Sequence, residues 1–334
     1  MELPFGQGFE EIMFHSWYPI LFVLLFSLGY WFRSYMRGAQ VISNVSMKGK
    51  TVVVTGANSG IGRETAKELA IRGARVIMAC RDEEKGKEAA QKLQTLTRNK
   101  NIIPMKLDLC SFKSIREFAV AFTKKEDRLD VLINNAGVIM PPQNKTDDGF
   151  DLQMQTNYLG PFLLTHLLLN HLKNCSPSRV VNVTAVAFTL GKLNLDDINH
   201  ESVEDYQTGD MYAQSKLALT MFNKTLAKKL EGTGVTVNAI HPGVVKTDGH
   251  RYMGYYTSTF VKMSLMPLIW LVMKTPVDGA QAAVECAIQE NLEKVSGKYF
   301  VDFNEKKVEN AEYDDEDLCD KLYEKSLEWT KFES

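Results

Sequence analysis

The sequence predicts an α/β fold with a doubly wound, parallel, seven-stranded sheet in a single domain, preceded by an N-terminal transmembrane helix. Three observations predict this architecture. A β-branched run at 51–55 breaks into glycines and then a helical pattern, strand-like runs alternate with helical segments, and an uncharged apolar stretch lies near the N-terminus. Alternation of strands and helices is typical of a parallel sheet covered by helices on both faces.

Apolar, β-branched runs predict the strands, which we place at 51–55, 75–80, 102–107, 130–134, 179–184, 235–240 and 298–302. The helices are expected at 60–72, 82–96, 112–125, 151–173, 210–231 and 277–289. No repeat or low-complexity linker interrupts this order, so a second globular domain is not expected. The expected boundaries are 1–47 for the anchor and juxtamembrane segment, 48–304 for the large α/β domain, and 305–334 for an acidic segment and helix.

The N-terminal stretch from Ile12 to Phe32 carries no formally charged side chain when His15 is neutral. A helix of this length spans roughly 30 Å, the thickness of the hydrocarbon core of a bilayer. Glutamates precede it and basic residues follow it, which favours a single pass with the large domain in the cytosol. We expect the endoplasmic reticulum membrane, with a mitochondrial membrane as the alternative. A cleavable signal peptide would need a basic start and a small-residue cleavage site, and neither is clear.

Composition excludes several classes of protein. The formal net charge of -2 offers no electrostatic basis for binding nucleic acid. The five cysteines are far apart and lack C-x-x-C spacing, and the six histidines form no ligand cluster, so we expect neither a disulfide framework nor a metal site. Whether the chain forms homo-oligomers is left open.

The turn after the first predicted strand reads Thr55-Gly-Ala-Asn-Ser-Gly-Ile-Gly62 and leads into a helical pattern. Glycine lets a backbone approach a ligand closely, and the first N–H groups of a helix lack partners within the helix and carry partial positive charge. This arrangement is typical of a phosphate-binding turn. In isolation, a glycine-rich loop that binds no ligand would have the same sequence pattern.

Three further motifs follow in order: Asn134-Asn-Ala-Gly137 after a predicted strand, Tyr212 with Lys216 four residues later, and His241-Pro-Gly243 after another strand. Each alone is a common turn, helix pair or strand end. Together, in this order and at these intervals, they resemble the short-chain dehydrogenase/reductase family over residues 48–304. The resemblance implies a Rossmann-type catalytic domain that binds a nicotinamide dinucleotide. The family pattern implies that the following residues contact this cofactor: Gly56, Asn58, Ser59, Gly60, Ile61, Gly62, Arg81, Asp108, Asn135, Ala136, Gly137, Tyr212, Lys216, Pro242, Gly243, Val245 and Thr247.

The end of the second strand indicates which dinucleotide is used. Enzymes specific for NAD usually place an acidic side chain there, whereas this chain has Cys80 followed by Arg81. A neutral residue and a guanidinium suit the 2′-phosphate of NADP(H). Alternatively, Arg81 merely begins a solvated helix beside Asp82.

Hydride transfer to or from a carbonyl carbon needs an acid or base at the oxygen. A lysine one helical turn from a tyrosine favours the phenolate. The resemblance makes Tyr212 the general acid/base, Lys216 the residue that lowers the pKa of the Tyr212 phenol and binds ribose, and Asn157 a helix residue that orders a water leading to the lysine. The alternative for Asn157 is an ordinary polar helix residue.

One family residue is absent. Members usually carry Ser-Ser after the fifth strand, and the second hydroxyl holds the substrate oxygen, but here Thr184 and Ala185 occupy these positions. Adjacent strand residues point to opposite faces, so Thr184 cannot replace the missing hydroxyl unless the backbone turns. Loss of one such donor typically costs about 10² to 10³ in rate.

Segments around the motifs, among them Ala79-Cys-Arg-Asp82 and Lys145-Thr-Asp-Asp-Gly-Phe150, look like the membrane-anchored retinol dehydrogenase branch. That resemblance implies NADP(H)-dependent interconversion of a lipophilic alcohol and its aldehyde or ketone, with retinol and retinal as the first candidates. A steroid, polyprenol or fatty aldehyde is an alternative substrate. Ala185 leaves a second hypothesis open, an impaired NADP(H)-binding scaffold or sensor. The apolar segment 252–273 is either a lid over the substrate or a core helix or membrane-resting patch.

Overall fold

The computed structural model describes residues 7–202, 206–247 and 269–332. The strands are β1 (Thr51–Thr55), β2 (Arg75–Cys80), β3 (Ile102–Lys106), β4 (Val131–Asn134), β5 (Ser178–Val183), β6 (Val235–His241), β7 (Tyr299–Val301) and β8 (Asn304–Lys306). The α-helices are α1 (Gln7–Arg37), α2 (Gly60–Ile71), α3 (Glu83–Thr97), α4 (Phe112–Lys125), α5 (Leu152–Met154), α6 (Gly160–Asn174), α7 (Thr208–Lys229), α8 (Pro276–Ile288), α9 (Ala311–Asp314) and α10 (Glu316–Thr330). A π-helical turn, Gln155–Leu159, joins α5 to α6, and two short 3₁₀ helices occupy Val186–Leu190 and Glu290–Leu292.

The sheet has the order β3-β2-β1-β4-β5-β6-β7-β8. All neighbouring strands pair in parallel except β7 and β8, which pair antiparallel. The seven predicted strands are confirmed, but the sheet is not wholly parallel and has an eighth strand. Asp302 and Phe303, with φ of 45° and 67°, form the two-residue connection between β7 and β8. Positive φ at both central residues is the geometry of a tight hairpin turn.

Helices cover both faces of the sheet, and the central strand β1 shows why. Val52 and Val54 belong to one buried apolar cluster, with residues of α2, α3 and α8, whereas Val53 belongs to the other, with residues of α4, α6 and α7. Successive side chains of a strand point to opposite faces, so a strand buried on both faces is apolar throughout. The doubly wound arrangement is thereby confirmed.

The helix α10 packs against α7 and α6. Its attachment includes buried polar contacts: the Tyr158 hydroxyl lies 2.6 Å from the Ser326 hydroxyl, and His166 Nε2 lies 2.8 Å from the Tyr323 hydroxyl. Asp315 caps the start of α10 by accepting a hydrogen bond from the Leu318 N–H. The acidic run before this helix therefore supplies the cap at which the helix starts.

The predicted span lies within α1, and residues Trp17–Arg37 form a helix that is long and apolar enough to cross a membrane. The side chains from Trp17 to Leu28 are exposed rather than packed against the sheet and its helices. An exposed apolar helix of this length fits a membrane protein.

Candidate active site

A cleft of about 570 Å³ opens at the carboxyl ends of the parallel strands, where doubly wound folds bind their ligands. Every residue that the sequence assigns to cofactor binding lines this cleft, together with Ala185. Asn157 is the one assigned residue outside the lining, and it is buried directly beneath Gly137. Of the apolar segment 252–273, residues 252–268 lie outside the described part of the chain.

The glycines of the turn between β1 and α2 let its backbone pack closely against itself and against the motif after β4. Gly56 has a φ of 66°, and a Cβ atom there would lie 3.0 Å from Ala136 Cα. A Cβ at Gly62 would lie 2.5 Å from the Gly56 carbonyl oxygen. Ser59 is the residue just before α2, and its side chain accepts no hydrogen bond from the helix. The first N–H groups of α2, which face the cleft, therefore lack a side-chain acceptor. The turn thus has the features of a phosphate cradle.

The motif after β4 holds this turn in place. Asn135 donates its side-chain N–H to the Thr55 carbonyl at 2.8 Å, and the Thr55 hydroxyl accepts from the backbone N–H groups of Asn135 and Ala136 at 3.0 and 2.9 Å. Asn134 points into the sheet and donates to Asn182 and Thr165. Asn135 therefore fixes the turn beside the cleft, whereas Asn134 forms hydrogen bonds in the core.

The end of β2 brings both neutral and charged side chains to the cleft. Burial raises the pKa of the Cys80 thiol to about 11, so it is uncharged at neutral pH. Arg81 and Lys85 both line the cleft and are exposed. Lys85, which the sequence motifs did not assign, lies in the first turn of α3, four residues after Arg81. Its Nζ is 3.3 Å from the carboxylate of Asp82, which also lines the cleft. Asp108 lies across the cleft and accepts from the Cys110 N–H at 3.0 Å.

Tyr212 and Lys216 lie one turn apart on α7, as the four-residue spacing requires, and the lysine Nζ is 5.9 Å from the centre of the tyrosine ring. Lys216 donates to the Val183 carbonyl at 3.0 Å. Burial lowers the pKa of Lys216 to about 8 and raises the pKa of Tyr212. Desolvation is the only resolved influence on the Tyr212 phenol, and that Lys216 lowers the pKa of this phenol stays a prediction.

Asn157 lies in the π-helical turn Gln155–Leu159. Its side chain accepts from the Val138 N–H at 2.8 Å and donates to the Val138 carbonyl and the Ser215 hydroxyl, both at 3.0 Å. Ser215 in turn donates to the Tyr212 carbonyl at 2.8 Å. Asn157 therefore links the floor of the cleft to the helix of the tyrosine, and π turns are frequent at functional sites.

Ala185 faces the cleft, whereas Thr184 does not supply the missing hydroxyl. The Thr184 hydroxyl is buried, lies 2.9 Å from the Thr220 hydroxyl and donates to the Lys216 carbonyl at 3.3 Å. This orientation confirms the expectation from strand alternation. Nearby, His241 lines the cleft with a buried Nδ1 that has no hydrogen-bond partner, and burial lowers the pKa of its imidazole to about 4. The sequence marks His241 only as part of the His-Pro-Gly motif.

Comparison with known proteins agrees with this geometry. A family model described as enoyl-(acyl carrier protein) reductase matches residues 56–286. Human retinol dehydrogenase 13 is 46% identical over 294 residues, which cover 88% of each chain. Human retinol dehydrogenase 12 is 48% identical over 274 residues, which cover 81% of this chain and 83% of the relative.

The chain belongs to the short-chain dehydrogenase/reductase family. The resemblance inferred from the motifs is thus confirmed, and this short-chain dehydrogenase/reductase is an oxidoreductase of the retinol dehydrogenase-like group. Solved structures share its fold. An uncharacterized protein from Mycobacterium paratuberculosis has a TM-score of 0.69 at 33% identity, with 88% of this chain and 98% of that chain covered. The Pseudomonas aeruginosa RhlG/NADP active-site complex has a TM-score of 0.61 at 26% identity, with 78% and 97% covered.

Proposed function

We propose that this chain interconverts a lipophilic alcohol and its aldehyde or ketone, with a retinoid as the first candidate, and uses NADP(H) as the hydride carrier. One observation carries the proposal: Tyr212 and Lys216 project from one face of α7 into the cleft that also contains the glycine cradle. In the direction of reduction, bound NADPH supplies a hydride to the carbonyl carbon of the substrate. The chain itself must then bind both molecules and deliver a proton to the oxygen.

The cradle fits a dinucleotide. Glycine at 56, 62 and 137 lets the backbone of the cleft wall pack closely, since a Cβ at Gly137 would lie 3.1 Å from Asn157 Oδ1. The cations Arg81 and Lys85 support NADP(H) over NAD(H), because a phosphate accepts charge-assisted hydrogen bonds from both. The solved RhlG complex contains NADP in the same family of folds.

Tyr212 acts as the proton donor in this proposal. Burial raises the pKa of its phenol, so the hydroxyl keeps its proton at neutral pH. The proton passes to the carbonyl oxygen as the hydride reaches the carbonyl carbon, and the product is the alcohol. The nearby Lys216 ammonium stabilises the phenolate that this transfer leaves behind.

The substrate class rests on relatives and on the cleft wall. Retinol dehydrogenases 11, 12 and 13 are named for retinol, an apolar alcohol. In this chain Val186 and Val244 line the cleft and are more than half exposed. Apolar side chains at a cleft edge suit an apolar ligand. A steroid, polyprenol or fatty aldehyde fits the same wall.

The second candidate is an NADP(H)-binding scaffold with impaired catalysis. Ala185 and the inward orientation of the Thr184 hydroxyl favour it, because neither residue gives the substrate oxygen a donor. Loss of one such donor lowers the rate by about 10²- to 10³-fold. The cleft is therefore compatible either with slow turnover or with no turnover.

We further propose that residues 48–304 form the catalytic domain and face the cytosol, with α1 as a single membrane span in the endoplasmic reticulum or a mitochondrial membrane. The exposed apolar surface of α1 and the basic residues after it support this placement.

The test is NADPH consumption by the full chain in membranes, screened against retinal, sterol ketones and fatty aldehydes. We expect slow retinal reduction in the natural protein, a rise of about 10²-fold in Ala185→Ser, and none in Tyr212→Phe. Thr184→Val is the matched control, because its hydroxyl points away from the cleft, and it should leave the rate unchanged. If neither the natural protein nor Ala185→Ser reduces any of these carbonyls while calorimetry still detects NADPH binding, the scaffold function stands instead.

A further inference from the structure

The last turns of α1 are held by the domain that follows them. Phe32, Arg33 and Met36 lie on one stripe of α1 and are shielded, whereas Trp31, Ser34 and Tyr35 are exposed. Positions three and four apart share a helix face, so this stripe is a packed one. The Arg33 side chain is only 9% exposed, donates to the Met273 carbonyl at 2.7 Å and lies 5.6 Å from the centre of the Trp270 ring.

A buried carboxylate completes this attachment. Asp278, whose side chain is fully buried, accepts from Arg37 Nε at 3.0 Å and Gln40 Nε2 at 3.3 Å, and Arg33 Nη2 lies 3.9 Å away. Asp278 also forms the capping box of α8 with Thr275. Two arginines from the end of α1 therefore converge on the first turn of α8, and we call these contacts the arginine clamp.

The clamp determines which face of the domain lies next to the membrane. Because α1 is one continuous helix from Gln7 to Arg37, no flexible linker separates its apolar part from the clamped turn. The surface around the start of α8 must then lie near the plane in which the apolar stretch ends. Ile42, Trp270 and Val277 are exposed on this surface, at 90%, 58% and 42%.

The same surface reaches the cleft. The Lys274 N–H, adjacent to the Met273 carbonyl that Arg33 binds, donates to the Val244 carbonyl at 2.8 Å. Val244 is 59% exposed and lines the cleft. Two consecutive residues, Met273 and Lys274, thus connect the membrane helix to the cleft wall.

We propose that Ile42, Val244, Trp270 and Val277 form a membrane-apposed face that rests on the headgroups of the bilayer holding α1, with the Val244 edge of the cleft opening there. Tryptophan suits the interface because its ring is apolar and its N–H is polar. Scattered apolar side chains around an anchor add contact area with lipid without forming a second span. This placement rests on the proposed membrane span of α1 and not on the proposed reaction.

The test places an environment-sensitive fluorophore on the full chain in phosphatidylcholine nanodiscs. Cysteine is introduced as Val277→Cys, with Cys110→Ser and Cys175→Ser to remove partly exposed thiols. The control is Val120→Cys, which is 53% exposed on α4 in the opposite helical layer. We expect a blue-shifted emission and protection from iodide at 277 but not at 120. Equal emission and quenching at both positions would overturn the proposal.

A second variant tests the clamp. Arg33→Gln combined with Arg37→Gln removes both cations, and Lys113→Gln, an exposed residue of α4, is the matched control. We expect the blue shift at 277 to disappear in the double variant and to persist in the control, with circular dichroism showing a folded chain in both. Persistence of the shift in a folded double variant would contradict the role of the clamp.

Discussion

Lys216 donates its ammonium hydrogen bond to the carbonyl of Val183, the last residue of β5, at 3.0 Å. The bond ties the middle of α7 to the strand that leads to Ala185. The ammonium is held by a neutral acceptor, and the described part of the chain places no carboxylate in a salt bridge with it. Burial therefore opposes its charge, and the pKa of Lys216 falls to about 8.

We predict that Lys216→Met stabilises the fold while abolishing reduction. Burial lowers the pKa of Lys216 from its ordinary value of 10.5 to about 8, so the unfolded chain binds this proton more tightly. Burial of the charged lysine therefore lowers the free energy of unfolding by at most about 3 kcal/mol. This destabilisation is complete below about pH 8 and disappears as the pH rises to 10.5. Thermal unfolding from about pH 6 to 10.5 should show a gain for the variant that shrinks above pH 8. An equal gain at all pH values would contradict this account.

We predict that Arg81→Gln with Lys85→Gln weakens NADPH binding and leaves NADH binding unchanged. Charge-assisted hydrogen bonds to a phosphate contribute roughly 1.5–3 kcal/mol, which corresponds to about 10- to 100-fold in affinity. Calorimetric titration with both dinucleotides measures the effect. Lys87→Gln is the control, because Lys87 pairs with Glu83 and Glu84 on the same helix and does not line the cleft. A parallel loss of NADH affinity would show that the two cations do not recognise the 2′-phosphate.

We predict that the fold loses stability in acid through buried histidines. His166 lies between the Phe162 carbonyl and the Tyr323 hydroxyl, and burial lowers its pKa to about 4. Between these two pKa values the unfolded chain binds a proton at His166 and the folded chain does not. The free energy of unfolding therefore falls as the pH drops from about 6.5 to 4, by up to about 3 kcal/mol for this residue.

His166→Gln should reduce that slope in urea unfolding at about pH 4.5 to 7 without abolishing it, because burial also lowers the pKa of His241 to about 4. His171→Gln, on the same helix α6, is the control and should keep the slope of the natural protein. If both variants lose stability in acid as steeply as the natural protein, His166 is not the group that titrates.

Local signals predicted most of the fold. Glycine spacing located the turn after β1, and alternating strands and helices gave the order of the elements, because each depends on a short stretch of sequence. The strand β8 was missed because Asp302 and Phe303 adopt positive φ without the glycine that usually marks such a turn. The π turn at Gln155–Leu159 was missed because no local residue pattern predicts a π turn.

The candidate site was predicted less completely, since side-chain directions depend on contacts far apart in sequence. The spacing placed Tyr212 and Lys216 on one face, but the raised pKa of the phenol arises from burial, which no local motif reports. Asn157 was predicted to order a water that leads to the lysine, and this stays a prediction, while its amide is engaged by Val138 and Ser215. The pairing of Arg37 with Asp278, 241 positions apart, had no local signal.

The contact between Tyr158 and Ser326 joins positions 168 residues apart. A stop codon or frameshift that removed α10 would expose the phenol of Tyr158 and the aromatic rings packed around it, and these belong to the main apolar cluster. Premature termination even this late in the gene is therefore expected to behave as a null allele, with the shortened product cleared by quality control rather than retained as a weaker enzyme.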